Sequence, residues 1–398
     1  MRRPKQSPVR TPDSAVRGYT ELSRRNFLIG LGAVGLAGCS TSAGSAATYN
    51  LGGSDQLTVL NWAEYIDGDS PEGSPTLLAM AEAGLSVNYL PDYVGNEAGD
   101  GGGFQLVIDN AINQSPPLYD IVIPTNWRAA EMIAAGYAEP LPIELIENHA
   151  NLDPVYMTNA WDRGSRFQMP WQAGITGIAY DPALTGRELT SVADLFDPAF
   201  AGRIGMIGEM REAVGLAMLA NGDDPSRPTT AAAGAGLAML VEAVESGQIT
   251  RATFQDFAPR LDAGELVAAM AWSGDTSLLR ANRPDIQFLI PEEGAIQWFD
   301  TMVIPRGSEN IAAAGRFMNF VYDPVNAARI TAAVGFISPV LGVQDELRNQ
   351  GLADLASDPV LFPDESNQSR LFTWGGLPVE VEADIDSQFQ DLIDPLLG

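Results

Sequence analysis

The sequence predicts an α/β protein with two lobes, and three observations support this prediction. Short apolar runs rich in β-branched residues alternate with helical segments along the chain, as expected of an open sheet with helices. About 340 residues follow residue 55, which is enough for two domains with sizeable cores. The stretch 169–181 is apolar, spaced by glycines and free of charge up to its end. It indicates a chain that crosses from one lobe into the other.

Two predicted strands of the first lobe end in aromatic and polar side chains, the usual place for ligand contacts in open α/β sheets. These side chains are Trp62 and Tyr65 after the strand 57–60, and Thr125 and Trp127 after the strand 119–124. The other predicted elements are a strand at 85–90, helices at 75–83, 104–113 and 129–135, and a Gly-rich loop at 95–103. The loop lacks the spacing and the basic residue of a phosphate cradle. Alternation of these elements predicts a parallel, doubly wound sheet.

The second lobe is predicted to carry acidic residues at a helix start and a tryptophan at a strand end. Glu209 and Glu212 open the helix after a strand near residue 203, and their spacing of three places them on one helix face. Acidic groups in a first turn also complement the helix dipole, which is their ordinary structural role. Trp272 follows the buried strand 266–271. The remaining predicted elements are a short helix from residue 192, a strand at 296–304, and helices at 228–246, 309–321, 324–333 and 383–396.

The strand 296–304 carries a tryptophan and an aspartate that point the same way. Trp298 and Asp300 are two positions apart, and side chains two apart on a strand share a face. A tryptophan face attracts positive charge and a carboxylate neutralises it, so the pair suits an organic cation. A core tryptophan beside an aspartate at a strand end is the alternative, and the rest of the chain favours the binding role.

The first 38 residues are predicted to be an export signal that is not part of the fold. The twin-arginine sequence S-R-R-N-F-L precedes a Gly-rich apolar run that is too short to span a bilayer. This run ends in L-A-G-C, which resembles a bacterial lipobox with Cys39 as the lipidated N-terminus. Residues 39–55 have the composition of a flexible tether. We therefore expect export by the twin-arginine route and a lipid anchor on the outer side of the cytoplasmic membrane.

The charge of the chain argues against nucleic acid as a partner. It has 23 basic and 51 acidic residues, a net charge of −28, and loss of residues 1–38 leaves 16 and 49, a net charge of −33. Such a surface repels phosphate backbones and attracts cations. Adaptation to a salty habitat explains most of this charge, and only a few carboxylates need belong to a site.

The sequence predicts neither a metal site nor a histidine-based catalytic centre. Cys39 is the only cysteine, which excludes a disulfide and a cysteine metal site. His149 is the only histidine, so a triad or a multi-histidine site would have to be built around it. We expect His149 to be an ordinary surface residue and the protein to need no cofactor.

Six phrases of the sequence occur in the order known from one protein family: L-N-W-A-E-Y-I, Y-D-I-V-I-P, A-D-L-F-D-P-A-F-A-G-R-I, M-R-E-A-V, G-E-L-V-A-A-M-A-W-S-G and E-E-G-A-I-Q-W-F-D-T-M-V-I-P. From residue 57 to its end the chain thus resembles the polyamine-binding proteins of bacterial ABC importers, the spermidine/putrescine-binding branch of the extracellular solute-binding proteins. The resemblance implies a type II periplasmic-binding-protein fold with a ligand cleft between two lobes. The implied lobes are 56–173 with 299–344, and 174–298 with 345–398.

The resemblance also implies a role for each site residue. Aromatic walls for the polyamine are implied at Trp62, Tyr65, Trp127, Trp272 and Trp298, carboxylates for its amino groups at Glu209, Glu212 and Asp300, and a polar cleft position at Thr125. Two positions depart from the family pattern. Phe336 stands where the family often has a tyrosine, and Gly375 stands where a glutamine can contact the ligand. These departures leave the preferred polyamine open, but not the preference for a cation.

The implied function is to bind a polyamine such as spermidine or putrescine and to deliver it to an ABC permease by cleft closure. The protein is then a monomer and not an enzyme. An importer-linked binding protein for another solute, such as a sugar, an opine-like amine or a cationic amino-acid derivative, would share the fold and the tryptophans. A surface glycosidase would share the acid pairs. The three implied carboxylates favour an amine.

Overall fold

The computed structural model describes residues 55–68, 70–93 and 116–397. The export signal, the lipobox with Cys39, nearly all of the tether, the Gly-rich loop and the predicted helix 104–113 lie outside these residues. The strands of the described part are β1 Gln56–Leu60, β2 Ser86–Leu90, β3 Ile121–Val122, β4 Gln168–Tyr180, β5 Ile204–Ile207, β6 Ile249–Thr253, β7 Ala268–Trp272, β8 Gln287–Leu289, β9 Ala295–Val303 and β10 Leu371–Phe372.

The α-helices of the same segments are α1 Pro75–Glu82, α2 Asn126–Ala134, α3 Pro182–Thr185, α4 Met210–Ala220, α5 Thr230–Glu245, α6 Phe257–Asp262, α7 Ser273–Asn282, α8 Ile311–Val321, α9 Pro324–Val334, α10 Val343–Asn349, α11 Glu365–Gln368 and α12 Val379–Ile393. Short 3-10 helices lie at Ile143–Leu145, Glu147–Asn151, Pro154–Met157, Val192–Phe196, Pro198–Phe200, Leu355–Ser357 and Asp394–Leu396. In this part of the chain, no helix combines the length and the apolar character that crossing a bilayer requires.

The strands belong to one mixed sheet in the order β2-β1-β3-β9-β4-β7-β5-β6, with β8 paired to β4 and β10 paired to β9. β1 runs parallel to β2 and β3, and β5 runs parallel to β6 and β7. β4 and β9 run antiparallel to each other and to their neighbours β7, β8 and β3. The α/β architecture is confirmed, and the strands β1, β2 and β3 are parallel as predicted. The sheet as a whole is mixed, because β4 and β9 run antiparallel to their neighbours. Alternation of strands and helices does not report the direction of strands that cross between lobes.

The long antiparallel pair β4–β9 joins the two halves of the sheet. Its register places Gly174 opposite Trp298, and a Cβ atom at Gly174 would lie 2.4 Å from the indole ring. A Cβ atom at Gly177 would lie 2.4 Å from the carbonyl oxygen of Leu289 in β8. The glycine spacing that predicted a crossing segment is therefore the spacing that lets a tryptophan and a neighbouring strand approach β4 closely.

Several elements begin or end a few residues away from their predicted bounds. β3 covers only Ile121–Val122 of the predicted strand 119–124. Before it, the carboxylate of Asp120 accepts a 2.8 Å hydrogen bond from the backbone N–H of Thr58 in β1, and after it Pro124 has no N–H to donate. α12 begins at Val379, four residues earlier than predicted, directly after Pro378.

The apolar core is continuous across the sheet and leaves two tryptophans partly exposed. Its largest cluster contains side chains from β1 through α12. Trp62 and Trp298 pack against this cluster but are only partly buried. They lie where the carboxyl ends of β1, β3, β5 and β7 meet the middle of β9, so the core positions the candidate site.

Candidate functional site

A cleft of about 540 Å³, part of it open to solvent, lies at the carboxyl ends of these strands. Nine of the ten residues predicted for the site line it: Trp62, Tyr65, Thr125, Glu209, Glu212, Trp272, Trp298, Asp300 and Phe336. Trp127 does not line it. Residues that are up to 274 positions apart in the sequence thus meet around one space.

Four aromatic rings form a continuous wall of this cleft. The centroid of the Phe336 ring lies 5.1 Å from that of Tyr65 and 5.6 Å from that of Trp298. The rings of Trp298 and Trp272 are 6.5 Å apart. All three pairs are tilted or edge-to-face, so no ring face is stacked on another ring of the wall. The wall can therefore offer ring faces to an apolar or cationic ligand.

The first-lobe rim of the cleft is fixed by backbone contacts. The indole N–H of Trp62 donates a 2.9 Å hydrogen bond to the carbonyl oxygen of Ile123, and its ring packs 4.6 Å from Tyr93. Thr125 precedes α2 as its N-cap residue and forms an isolated antiparallel bridge with Asp300. The ends of β1 and β3 are thereby tied to β9.

One carboxylate orients both tryptophans of the second-lobe wall. The indole N–H of Trp272 donates a 2.7 Å hydrogen bond to Oε2 of Glu212, and the Thr176 hydroxyl donates to the same oxygen. The indole N–H of Trp298 donates to Oγ1 of Thr176 at 3.0 Å. Indole donors that are satisfied in this way cannot turn towards solvent, so the ring faces keep their direction.

Glu209 and Glu212 lie together at the amino end of α4. Glu209 is the N-cap residue in an extended conformation and Glu212 lies in the first turn, so the helix start holds both acids at the cleft. Burial raises the pKa of Glu212, the hydrogen bonds from Thr176 and Trp272 oppose this rise, and the nearby Asp300 adds to it. The two predicted acids therefore both lie at the cleft. They are brought together by the start of the helix, and not by a shared helix face.

Asp300 is a buried carboxylate with an unused oxygen. It is 4% exposed, and its Oδ1 has no hydrogen-bond partner among the described residues. Burial raises its pKa to about 7, while the hydroxyls of Thr125 and Tyr65, which face it, act in the opposite direction. A buried carboxylate without full hydrogen bonding is costly unless a cation meets it. The arrangement leaves a place for a positively charged group.

Five further residues line the cleft, and the sequence analysis did not single them out: Ala63, Glu64, Gln255, Asp275 and Leu278. Asp275 lies in the first turn of α7, and burial raises its pKa to about 7, with a further rise from the charge of Glu64. Glu64 has a φ of +54°, which is uncommon for a residue with a side chain. Both acids lie within three positions of a predicted aromatic site residue, and that proximity was the signal available in the sequence.

Trp127 does not line the cleft, and its ring contacts two guanidinium groups instead. The guanidinium carbon of Arg211 lies 3.3 Å from the ring centroid, and that of Arg128 lies 4.2 Å from it. A ring face that already holds a guanidinium is not open to an ammonium group. In this geometry Trp127 does not provide the aromatic wall that the resemblance implied.

The position of Gly375 has no room for a side chain. Its N–H donates a 3.0 Å hydrogen bond to the carbonyl oxygen of Pro225, and a Cβ atom would lie 2.0 Å from the carbonyl oxygen of Ser226. Gly375 is also absent from the cleft lining. The glutamine contact that the resemblance implied for related proteins therefore has no counterpart at this residue.

The chemistry of the cleft is acidic and aromatic. Among the described residues, its lining includes the carboxylic acids Glu64, Glu209, Glu212, Asp275 and Asp300 and contains no basic residue. His149 lies elsewhere, in a 3-10 helix, where its Nδ1 is 2.5 Å from the carbonyl oxygen of Ile146. Within the described segments, no three His, Cys, Asp or Glu residues are arranged to hold a metal ion. The cleft suits an organic cation with an apolar middle.

Comparison with known sequences identifies a matching family and several distant relatives. The model of a family described as bacterial extracellular solute-binding protein matches residues 100–363. The chain is 25% identical over 251 residues to the spermidine/putrescine-binding periplasmic protein 1 of Haemophilus influenzae, covering 62% of this chain and 67% of that one. It is 27% identical over 322 residues to the spermidine/putrescine-binding periplasmic protein of Escherichia coli K12, covering 77% and 83%.

A solved structure shows the same fold. The spermidine/putrescine ABC transporter substrate-binding protein PotD of Streptococcus pneumoniae aligns with a TM-score of 0.71 and 22% identity, covering 86% of this chain and 100% of that one. This likeness confirms the predicted two-lobe fold with a cleft between the lobes.

Proposed function

This chain belongs to the bacterial extracellular solute-binding proteins, and from that premise we propose that it binds a polyamine and delivers it to an ABC importer. The observation that carries the proposal is the cleft lining, which in the described part of the chain combines five carboxylic acids with an aromatic wall and contains no basic residue. The relatives described above are named for spermidine and putrescine, which supports the same ligand class.

A polyamine matches the cleft because it is an apolar methylene chain with charged amino groups. Burying an ammonium group is costly unless a carboxylate and hydrogen bonds meet it. Ring faces can cover the methylene groups, and each well-placed cation–π contact adds about 0.5–2 kcal/mol. No chemical step is needed, so the protein acts by binding alone.

Each acid has a proposed place along the ligand. Asp300, with its unused Oδ1, and the ring of Trp298 clamp one amino group. Glu209 and Glu212 meet another at the amino end of α4. Asp275 and Glu64, which also line the cleft, can meet a third. This number of acids exceeds what a diamine needs and favours a polyamine with three or more amino groups.

The cleft is proposed to close around the ligand by movement of two lobes. The lobes are 56–173 with 299–344, and 174–298 with 345–398, and the crossing pair β4–β9 connects them. Both lobes contribute to the lining, Trp62 from one and Glu212 from the other, so full contact requires the closed form. A ligand that binds the closed form better shifts the equilibrium towards it. The permease then recognises the closed form, and the protein works as a monomer.

The site of action is proposed to be the outer side of the cytoplasmic membrane. The relatives are named as periplasmic proteins, which supports an extracytoplasmic location. Export by the twin-arginine route and lipidation of Cys39 are supported by the N-terminal sequence. In cells, Cys39→Ser should move the exported protein from the membrane fraction to the soluble fraction, and retention on the membrane would argue against the anchor.

The main alternative is a binding protein for another solute. A sugar, an opine-like amine or a cationic amino-acid derivative can also stack on tryptophans. The surplus of carboxylates disfavours a neutral sugar, because burial of each acid would go uncompensated. Catalysis by the acid pairs is a more distant alternative, and recovery of the incubated ligand unchanged by mass spectrometry would exclude it.

A thermal-shift titration tests the ligand class directly. The protein beginning at Ser40 is titrated with putrescine, spermidine, spermine, a panel of sugars and the basic amino acids, with 1,4-butanediol as the uncharged control for putrescine. A ligand of the native state raises the melting temperature with the logarithm of its concentration over its Kd. We expect the largest shift with a triamine or tetraamine and none with the diol. No shift with any amine, in low and in high salt, would reject the polyamine assignment.

A further inference from the structure

We propose that Trp127, Arg211 and Glu382 form a latch that holds the cleft closed, a role that rests on the proposed function only in that closure retains the ligand. The three residues come from three separate elements. Trp127 lies at the start of α2, Arg211 at the start of α4 and Glu382 in α12. In the proposed division, the tryptophan belongs to the first lobe and the two charged residues belong to the second.

The contact between the lobes is a close cation–π pair. The guanidinium carbon of Arg211 lies 3.3 Å from the centroid of the Trp127 ring, well inside the roughly 6 Å over which such a pair attracts. Trp127 is half-buried and Arg211 is only 8% exposed, so water screens the contact weakly. Separation of the lobes would break this contact, and the latch therefore stabilises the closed form alone.

Glu382 keeps the guanidinium in place. Its Oε1 accepts a 2.8 Å hydrogen bond from Nε of Arg211 and forms an ion pair with Nη2 at 2.7 Å. Its Oε2 accepts a 2.7 Å hydrogen bond from the backbone N–H of Leu377. A buried guanidinium needs such a partner to offset its lost hydration. Glu382, in the second lobe, thus fixes the orientation of the guanidinium that contacts the ring of Trp127.

The latch adjoins the ligand site on both sides. Thr125, two residues before Trp127, lines the cleft. Glu209 and Glu212, which flank Arg211, line it from the opposite lobe. A cation held between these residues draws together the same two helix starts that the latch joins. Ligand and latch therefore favour the same closed form without contact between Trp127 and the ligand.

A latch role for Trp127 and a ligand-contact role for Trp127 predict different binding results. A ring that touches the ligand discriminates between polyamines of different length. A latch changes the closing equilibrium, so it changes the affinity for every ligand by one common factor. Loss of a closed-form contact also speeds ligand release more than it slows ligand capture.

The test compares wild type, Trp127→Leu and Trp127→Phe by stopped-flow kinetics with putrescine, spermidine and spermine. Trp127→Leu should raise the dissociation rate constant about 3- to 20-fold for every polyamine bound, in line with a cation–π contact, with little change in the association rate constant. Trp127→Phe keeps a ring and should recover part of the loss. Trp161→Leu, which removes another half-buried tryptophan outside the cleft lining, should leave release unchanged.

Either of two kinetic results would overturn the latch. If Trp127→Leu changed the dissociation rate constant by a different factor for each polyamine, Trp127 would contact the ligand. If the dissociation rate constant did not change, the contact between Trp127 and Arg211 would not stabilise the closed form.

If wild type bound no polyamine, the proposed ligand would be wrong, and the latch would be tested in ligand-free protein. Spin labels at Leu118→Cys and Leu184→Cys, two exposed positions, would report the lobe distance in a Cys39→Ser background. A smaller short-distance population in Trp127→Leu supports the latch, and identical distributions reject it.

Discussion

The indole N–H of Trp272 and Oε2 of Glu212 are joined by a 2.7 Å hydrogen bond, which couples the aromatic wall of the cleft to its charge. Thr176 donates to the same oxygen and accepts from the indole of Trp298, so one acid fixes two rings. A ligand that reaches Glu212 meets ring faces that are already in place. Such preorganisation lowers the entropy cost of binding.

The first prediction concerns the contribution of Asp300 to affinity. Asp300→Asn keeps the shape of the side chain but removes the charge that faces an ammonium group. Loss of one partner of a buried charge pair costs roughly 2–5 kcal/mol, so the Kd for the preferred polyamine should rise roughly 30-fold or more. Isothermal titration calorimetry at pH 8 measures this change. Unchanged affinity would show that Asp300 does not clamp the ligand.

The second prediction concerns the stability of the same variant without ligand. The pKa of Asp300 is raised to about 7 by burial, above its ordinary value near 4. The native state therefore holds a proton that the unfolded chain releases, and this carboxyl makes unfolding easier as pH rises from about 4 to about 7. Asp300→Asn removes this pH-dependent loss of stability, so the melting temperature of the variant should exceed that of wild type at pH 8.

The advantage of Asp300→Asn in melting temperature should shrink at pH 5, where the wild-type carboxyl is protonated. Differential scanning calorimetry of ligand-free protein at both pH values compares the two proteins. A variant less stable than wild type at pH 8 would contradict the prediction and indicate a structural role for the charge.

The third prediction is that binding releases protons near neutral pH. The pKa values of Asp300 and Asp275 are about 7 without ligand, mainly through burial. An ammonium group favours the ionised carboxylate and lowers both pKa values, so protons leave when the ligand binds. Affinity should be highest above pH 7 and should fall as pH drops through 7 to 5. Calorimetry in phosphate and in Tris at pH 7 should give different enthalpies, and equal enthalpies with a flat affinity between pH 6 and 8 would contradict it.

The fourth prediction separates the two roles of Trp272. Trp272→Phe keeps an aromatic ring but deletes the hydrogen bond that lowers the pKa of Glu212. The pKa of Glu212 should therefore rise further, and the pH at which binding is half lost should move upward. A matched Phe254→Leu variant removes a ring that packs on Trp272 without touching this hydrogen bond. The pH midpoint of Phe254→Leu should stay where it is in wild type, and a common shift in both variants would reject the role of the indole N–H.

The fifth prediction concerns Gly375, where the family's glutamine is missing. Gly375→Ala places a Cβ atom 2.0 Å from the carbonyl oxygen of Ser226 and should lower the melting temperature without altering the ranking of polyamines. Gly234→Ala is the matched control, since Gly234 lies in α5 with open space around it and alanine is the better helix former. It should be neutral or stabilising. A changed ranking of polyamine affinities in Gly375→Ala would show that this position does contribute to ligand binding.

Local patterns predicted the elements, and alternation along β9 predicted that Trp298 and Asp300 share the cleft. Nine site residues meet there because strand ends collect at one edge of each half of the sheet. The antiparallel direction of β4 and β9 could not be predicted from the sequence, because strands and helices alternate in the same way whether the crossing strands are parallel or antiparallel. Trp127 shows the other limit, because which face of a ring is occupied depends on an arginine 84 residues away.

Asp275 and Glu64 could not be identified as site residues from the sequence for a related reason. Asp275 follows a strand end, where a carboxylate in a first helical turn is ordinary, and only burial reveals its position in the cleft. Glu64 stands between two predicted aromatic residues, but its left-handed backbone is a property of the folded chain. Both residues extend the acidic lining beyond the three carboxylates that the resemblance implied.

The most direct measurement is calorimetric titration of the protein with spermidine at pH 8, beside the same titration with an uncharged diol of similar length. The five acids of the cleft predict saturable binding of the amine at one site and no heat from the diol. Absence of binding by spermidine, putrescine and spermine in low and high salt, or equal binding of the diol, would contradict the claim that this cleft recognises a polyamine through its carboxylates.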